Sequence, residues 1–310
     1  MQSGQEVKYK ISSAVIVLLS LLILCTGCSD SHYNRIIWSN PKGIFNQEID
    51  EDVPLQSFSF LVLSDIHIGK TDNGVYWDFE AFNAWIEDIQ GTAPLDFVIN
   101  LGDSTQDSLE EEYQEYARFV ESLQIPTHTI AGNHDVRNQG RAFFRTYVNK
   151  SLTRRFSHKG ISFYLIDTGY LSMGKRQLDD LVKNTASDCN VKIFCSHVPV
   201  YGGPELFYFS LTDPLERVVL INTMIQTNTA LLLSGHAHYK DNLHRFKDTS
   251  AELVCGSFHG RNSFFENTLP TWYVCTIHAE DKEILITRFS AEKDGSIHHS
   301  TFSPLSIGLD

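Results

Sequence analysis

The run TALLLSGHAHYK, Thr229 to Lys240, joins a continuous apolar segment to two histidines set two apart. An apolar run of this length, closed by Ser-Gly, reads as a strand buried on both faces. His236 and His238 stand just past its carboxyl end. In open α/β sheets, ligand sites form at that position, beyond the carboxyl ends of strands. The stretch therefore asks what the other strands of this chain end on.

Four more apolar runs answer in kind. FSFLVLSDIH (Phe58–His67) ends on Asp65 and His67, and LDFVINLGD (Leu95–Asp103) ends on Asp103. IPTHTIAGNHD (Ile125–Asp135) ends on Asn133, His134 and Asp135, and KIFCSH (Lys192–His197) ends on His197. GISFYLIDTG (Gly160–Gly169) is a further strand. Helical spacing separates the runs. Phe79, Phe82, Trp85, Ile86 and Ile89 place a helix over Trp77 to Gln90, with Gly91 as its stop. Ser108 and Glu111 resemble a capping box, opening a helix whose apolar face is Tyr113, Tyr116, Phe119, Val120 and Leu123. KRQLDDLVKN and DPLERVVLINTMIQ read as helices, the second with Pro214 at its first turn. From about Glu252 the helices stop, and ELVCGSF, TWYVCTIHA and EILITRFSA read as an antiparallel meander. The expected class is α/β, one domain closed by a β-rich C-terminal edge.

One Asp-x-His or one GNHD has little meaning in a chain with 13 histidines. A polar cluster recurring at five strand ends does. Together they deliver two aspartates, one asparagine and five histidines, besides Asp135. Imidazole and carboxylate suit Zn, Fe, Mn, Co or Ni. Eight such groups are too many for one ion and enough for two. Two ions about 4 Å apart can clamp both oxygens of an in-line displacement.

The ordered set D-x-H, GD, GNHD, H, GHxH resembles the calcineurin-like metallophosphoesterase superfamily, over about residues 58–290. The resemblance implies a four-layer α/β/β/α sandwich, two mixed β-sheets flanked by helices. It also implies two divalent or trivalent metal ions such as Mn, Fe or Zn. Asp65, His67 and His238 would hold the first, Asn133, His197 and His236 the second, and Asp103 would bridge them. His134 would stand beside the substrate, stabilising the transition state or protonating the leaving group. The family often has Asp or Asn three residues after the GD aspartate; here Gln106 stands there, with Asp107 next. Either Asp107 or Asp135 then orients His134, or His134 is a weaker acid. IDTGYLSMGKRQLDDL is similar to a G-x-x-Q-L-x-x-L segment of the branch holding cyclic-nucleotide phosphodiesterases and purple-acid-phosphatase-like proteins. Softer candidates are Tyr201 in SHVPVYGG, His259 and Arg261 in SFHGRNS, and Asn73 and Trp77.

The N-terminus adds a location. Lys8 and Lys10 precede the apolar run Ile11–Leu24 of 14 residues, which fits a signal-peptide core and falls short of the roughly 20 a membrane span needs. It leads into CTGC, where Cys28 after Thr26 and Gly27 resembles the lipobox of bacterial lipoproteins. Cys25 departs from the leucine usual there. The expected organisation is a signal peptide over 1–27, lipidated Cys28 and a tether over 28–56, and a phosphoesterase domain over 57–310. That implies the cell envelope, with a membrane partner through the N-terminal lipid. Net charge is -13, so no nucleic-acid-binding surface is evident. Cys189, Cys195, Cys255 and Cys275 could pair in an exported protein, or serve as small buried hydrophobes. The expected activity is hydrolysis of small phosphate mono- or diesters. The alternatives are a non-catalytic metal-binding surface lipoprotein and a cyclic-nucleotide phosphodiesterase-like enzyme.

Overall fold

The computed structural model describes Phe45 and residues 53–70, 79–238, 240–262 and 267–308. The signal peptide, Cys28, Asn73 and Trp77 lie outside the described residues. So does the side chain of Arg261.

Side chains alternate along a strand, and this sorts β1 (Phe58–Leu63) onto two cores. Phe58, Phe60 and Val62 enter one apolar cluster, Leu61 and Leu63 another. β2 (Phe97–Asn100) repeats the pattern, with Phe97 and Ile99 on one side and Val98 on the other. The first cluster lies between two sheets. β5 (Ile161–Ile166) contributes Ile161, Phe163 and Leu165 to it from the opposite side. β6 (Val191–Ser196) adds Val191, Ile193 and Cys195, and β7 (Thr229–Ser234) adds Leu231 and Leu233. Strands covered on both faces must be apolar at nearly every position, which is why these runs are nearly continuous.

The first sheet continues from β2 to the short β3 (Thr127–Thr129), parallel throughout. On the other side of β1 come β12 (Thr271–His278), β13 (Glu283–Ala291) and β14 (Ile297–Thr301), all antiparallel, with β15 (Leu305–Ser306) also on β13. The second sheet has β4 (Arg154–His158) at one edge. At the other edge β9 (Ser250–Val254) pairs with β7 and β8 (Asn242–Lys247) closes it. β5, β6, β7 and β9 are parallel, and β4 and β8 antiparallel. A two-stranded piece joins β10 (Arg261–Asn262) to β11 (Asn267–Thr268). Helices α1 (Phe79–Thr92) and α2 (Glu110–Ser122) cover the outer face of the first sheet through Phe82, Ile86, Tyr116 and Phe119. α3 (Gly140–Tyr147) packs beside α2. α4 (Lys175–Ser187) and α5 (Pro214–Gln226) are the crossovers of the second sheet, with α5 packed on β7. The result is the expected sandwich of two mixed sheets flanked by helices.

Three local expectations need correction. ELVC is β9, a parallel strand of the second sheet, and only β12 onward forms the meander. α1 runs through Gly91 to Thr92, because Gly91 keeps a negative φ in place of the left-handed one that ends a helix. The α2 capping carboxylate is Glu112, which accepts the Leu109 and Asp107 N–H groups at 3.0 and 2.9 Å. Ser108 instead donates its hydroxyl to the His134 carbonyl and accepts the Arg137 N–H at 3.1 Å, tying the loop before α2 to the GNHD loop. Gln177 of the G-x-x-Q-L segment braces the loop that leads into α4. It accepts the Asp167 N–H at 2.9 Å and donates to the Asp167 and Met173 carbonyls at 2.8 and 2.9 Å. The described cysteines are all free, and Cys195, Cys255 and Cys275 fill the core between the sheets.

Candidate metal centre

Both sheets point the carboxyl ends of their parallel strands to one place. β1, β2 and β3 deliver Asp65, His67, Asp103 and Asn133, and β6 and β7 deliver His197, His236 and His238. The ligand atoms of Asp65, His67, Asp103 and His238 lie within 4.8 Å of one another. So do those of Asp103, His197 and His236. Asp103 is common to both groups.

The backbone is bent to achieve this. Asp65, His67, Asp103, His236 and His238 all have φ between 50 and 67°, the left-handed region that glycine favours. Each such residue costs about 1–3 kcal/mol and persists where surrounding contacts enforce it. Two glycines let the loops approach. A Cβ on Gly132 would lie 2.2 Å from Asp103 Oδ1, and one on Gly235 would lie 1.9 Å from Ser64 Oγ.

The hydrogen bonds fix how each ring faces. His197 donates Nδ1–H to the Leu101 carbonyl at 2.9 Å, which turns Nε2 toward Asn133 Oδ1 at 3.1 Å and Asp103 Oδ2 at 3.3 Å. His67 donates Nδ1–H to Gln106 Oε1 at 3.0 Å. Its Nε2 lone pair then meets His238 Nε2 at 3.0 Å, and that atom lies 2.8 Å from Asp65 Oδ1. Asp103 Oδ1 accepts the His134 N–H at 2.7 Å. Asp103 Oδ2 is buried without a hydrogen bond, between His197 Nε2 and His67 Nε2 at 3.3 and 3.7 Å. A buried carboxylate oxygen left over is costly unless a cation sits beside it. The donor set and this orphaned oxygen fit a metal pair.

Titration behaviour follows the same crowding. Burial opposes the charge on Asp65 and Asp103, yet the facing histidines hold both well below the usual carboxylate range. Burial also disfavours a charged His197, but Asp103 overrides it and raises the imidazole to about 9. Burial and His238 push His67 well down, and burial and His197 bring His236 to about 4.

A family model described as calcineurin-like phosphoesterase matches residues 58–240. The chain belongs to the calcineurin-like phosphoesterase family. The matched span contains all seven residues of this calcineurin-like centre. No curated protein matches the chain. Among solved structures, GAP50, the anchor in the inner membrane complex of Plasmodium, is similar at TM-score 0.60 and 16% identity, over 81% of this chain and 89% of that one. Vps29 of Chaetomium thermophilum gives TM-score 0.47 and 11% identity, over 81% and 100%. The NAD nucleotidase NadN of Haemophilus influenzae gives 0.45 and 14%, over 81% of this chain and half of the other. The GAP50 likeness bears on the fold alone.

Neither Asp135 nor Asp107 holds the His134 ring in this calcineurin-like site. Asp135 does not reach the His134 ring. Its buried carboxylate accepts the N–H groups of Gly132, Ser104 and Thr105 at 2.9, 3.1 and 2.9 Å and the Thr105 hydroxyl at 2.9 Å, holding the GD and GNHD loops together. Burial and Asp103 raise it to about 6. Asp107 pairs with Arg137 at 3.6 Å instead. The group that orients His134 is the Gln106 main-chain carbonyl, 2.6 Å from Nδ1. Gln106 thus serves two histidines, its side chain holding His67.

Of the softer candidates, Tyr201 lies on a loop whose Val200, Tyr201 and Gly202 N–H groups donate to buried Glu252 at 2.7, 2.9 and 2.7 Å. His259 is buried, and its N–H donates to the Asp65 carbonyl at 3.2 Å. Sequence reading missed Glu252 and Arg137. A lone carboxylate inside the apolar run ELVC was a legible sign of the first.

Proposed function

We propose that this chain is a metal-dependent phosphoesterase that hydrolyses small phosphate esters at a dinuclear centre. The observation that carries the reading is Asp103 Oδ2, buried, unbonded and shared between the two ligand groups. Asp65, His67 and His238 would hold one ion, Asn133, His197 and His236 the other, with Asp103 between them. Two such ions would supply an acidified water as nucleophile and polarise the phosphoryl oxygens. The chain's own groups do the rest. Leu101 and Gln106 fix the tautomers of His197 and His67, so that Nε2 is the ligating atom in both. Asp135 keeps the Asp103 and Asn133 loops in register. Asn133, His134, His236 and His238 are partly exposed and form the open side on which an ester can land.

The full chain, loaded with Mn, Fe or Zn, should hydrolyse 4-nitrophenyl phosphate or its bis ester, and Asp103→Asn should not. Two bound metals with no turnover of either ester would sink the enzyme reading and leave a metal-binding surface protein.

Export and lipid anchoring belong to the same proposal and rest on the Lys8–Cys28 segment. Among the described residues no helix is long and apolar enough to cross a membrane. Metabolic labelling with palmitate in a bacterial host should mark the protein, and Cys28→Ser should abolish the label. Equal labelling of both proteins would refute the anchor.

A further inference from the structure

His134 is the residue a phosphoesterase of this pattern is expected to turn toward its substrate, yet its ring offers no donor there. Nδ1 lies 2.6 Å from the Gln106 carbonyl, a group that only accepts, so Nδ1 carries the proton. Nε2 lies 2.9 Å from Arg137 Nη2, a group that only donates, so Nε2 carries the lone pair. Both assignments follow from the chemistry of the partners. The donor held at this corner of the site is therefore the guanidinium of Arg137.

Its placement is specific. Arg137 Nη1 donates to the Gln106 carbonyl at 3.3 Å and lies 3.6 Å from Asp107 Oδ1. The Arg137 N–H is tied to Ser108 at 3.1 Å. The head group is thus aimed by the loop after Asp103 and by His134 together. These contacts use three N–H groups at most, of the five a guanidinium carries, and the side chain remains 42% exposed. A planar fork with donors to spare beside a phosphoester site suits the terminal oxygens of a phosphoryl group.

Resting on the phosphoesterase reading above, we infer that Arg137 is the anion anchor of this site, with His134 as the acceptor that positions it, and that it selects dianionic phosphomonoesters over monoanionic diesters. The guanidinium acts through charge, so its contribution grows with the charge of the group it holds.

The test uses the metal-loaded full chain, Arg137→Ala and Arg137→Lys, with inorganic phosphate as the probe in titration calorimetry. Arg137→Ala should weaken phosphate binding about tenfold or more, with metal content and unfolding temperature unchanged. Arg137→Lys should recover part of the loss, keeping charge without the fork. Arg137→Ala should also lower kcat/KM for 4-nitrophenyl phosphate more than for its bis ester. Nitrogen-15 spectra of the wild-type protein should show His134 protonated on Nδ1. Phosphate affinity within twofold of wild type in Arg137→Ala, an equal loss on both esters, or a proton on His134 Nε2 would each overturn the inference. A wild-type protein that neither binds phosphate nor turns over either ester would overturn the phosphoesterase reading itself.

Discussion

His236 and His238 stand two apart, yet they turn to different neighbours. His238 Nε2 joins His67 and Asp65, whereas His236 joins His197 and Asp103. The left-handed backbone at both residues produces this split; on a regular strand the two side chains would share a face. His238→Ala and His236→Ala should each retain about one metal per chain by elemental analysis, and Asp103→Asn should lose both. Loss of both ions from either histidine variant would show a single coupled site. Gln106 allows a finer test. Its Oε1 fixes the His67 tautomer, so Gln106→Ala should weaken metal binding by about 10–100-fold. Gln106→Glu should restore it, because a carboxylate accepts the same N–H. Unchanged affinity in Gln106→Ala would remove Gln106 from the site. The ligand types were legible in the sequence because each ends an apolar run. The orienting groups were not, since the Leu101 and Gln106 carbonyls belong to every residue alike and only the fold aims them.

Legibility at the level of elements depended on burial. Strands covered on both faces, β1, β2, β5, β6 and β7, showed as nearly continuous apolar runs. β4, β8 and β14 lie at sheet edges, carry RRFSH, NLHRFK and IHHST, and gave no such signal. β9 was visible as a strand but not as a member of the second sheet, because apolar pattern reports burial and not the identity of a neighbour. An edge contact illustrates what fixes such neighbours. Asp96, leading into β2, accepts from His158 Nε2 at 2.7 Å and from Lys159, beyond β4. Burial works against the charge, but Lys159 and His158 outweigh it and hold Asp96 below the usual carboxylate range. A depressed carboxylate stabilises the fold above its unfolded pKa and loses that contribution as pH falls through the folded one. Asp96→Asn should therefore cost about 1 kcal/mol at pH 7, with 22% of the Asp96 side chain still open to solvent screening. Denaturant titrations should show the gap between the two proteins closing below about pH 4. A gap that stays constant down to pH 2 would rule out the ion pair as its source.

For the molecule as a whole, the centre is also a joint. Each ligand group draws on both sheets: His238 joins three residues from the first sheet, and Asp103 joins two from the second. The sheets otherwise meet through an apolar interface that sets no position for polar side chains at its end. Without cations the same place holds a buried, unbonded carboxylate oxygen and crowded imidazoles over strained backbone. Binding of ions there would therefore be coupled to folding. An ion that binds only the folded chain adds about 2.7 kcal/mol of stability at a free concentration 100 times its Kd. Scanning calorimetry should accordingly show the unfolding temperature falling in EDTA and rising with each increment of Mn or Zn. Asp103→Asn separates this centre from adventitious binding, because its unfolding temperature should be the same in EDTA and in metal. A wild-type transition that ignores the metal concentration would mean that the two sheets close without ions. The strained loops would then be held by Asp135, Leu101 and Gln106 alone.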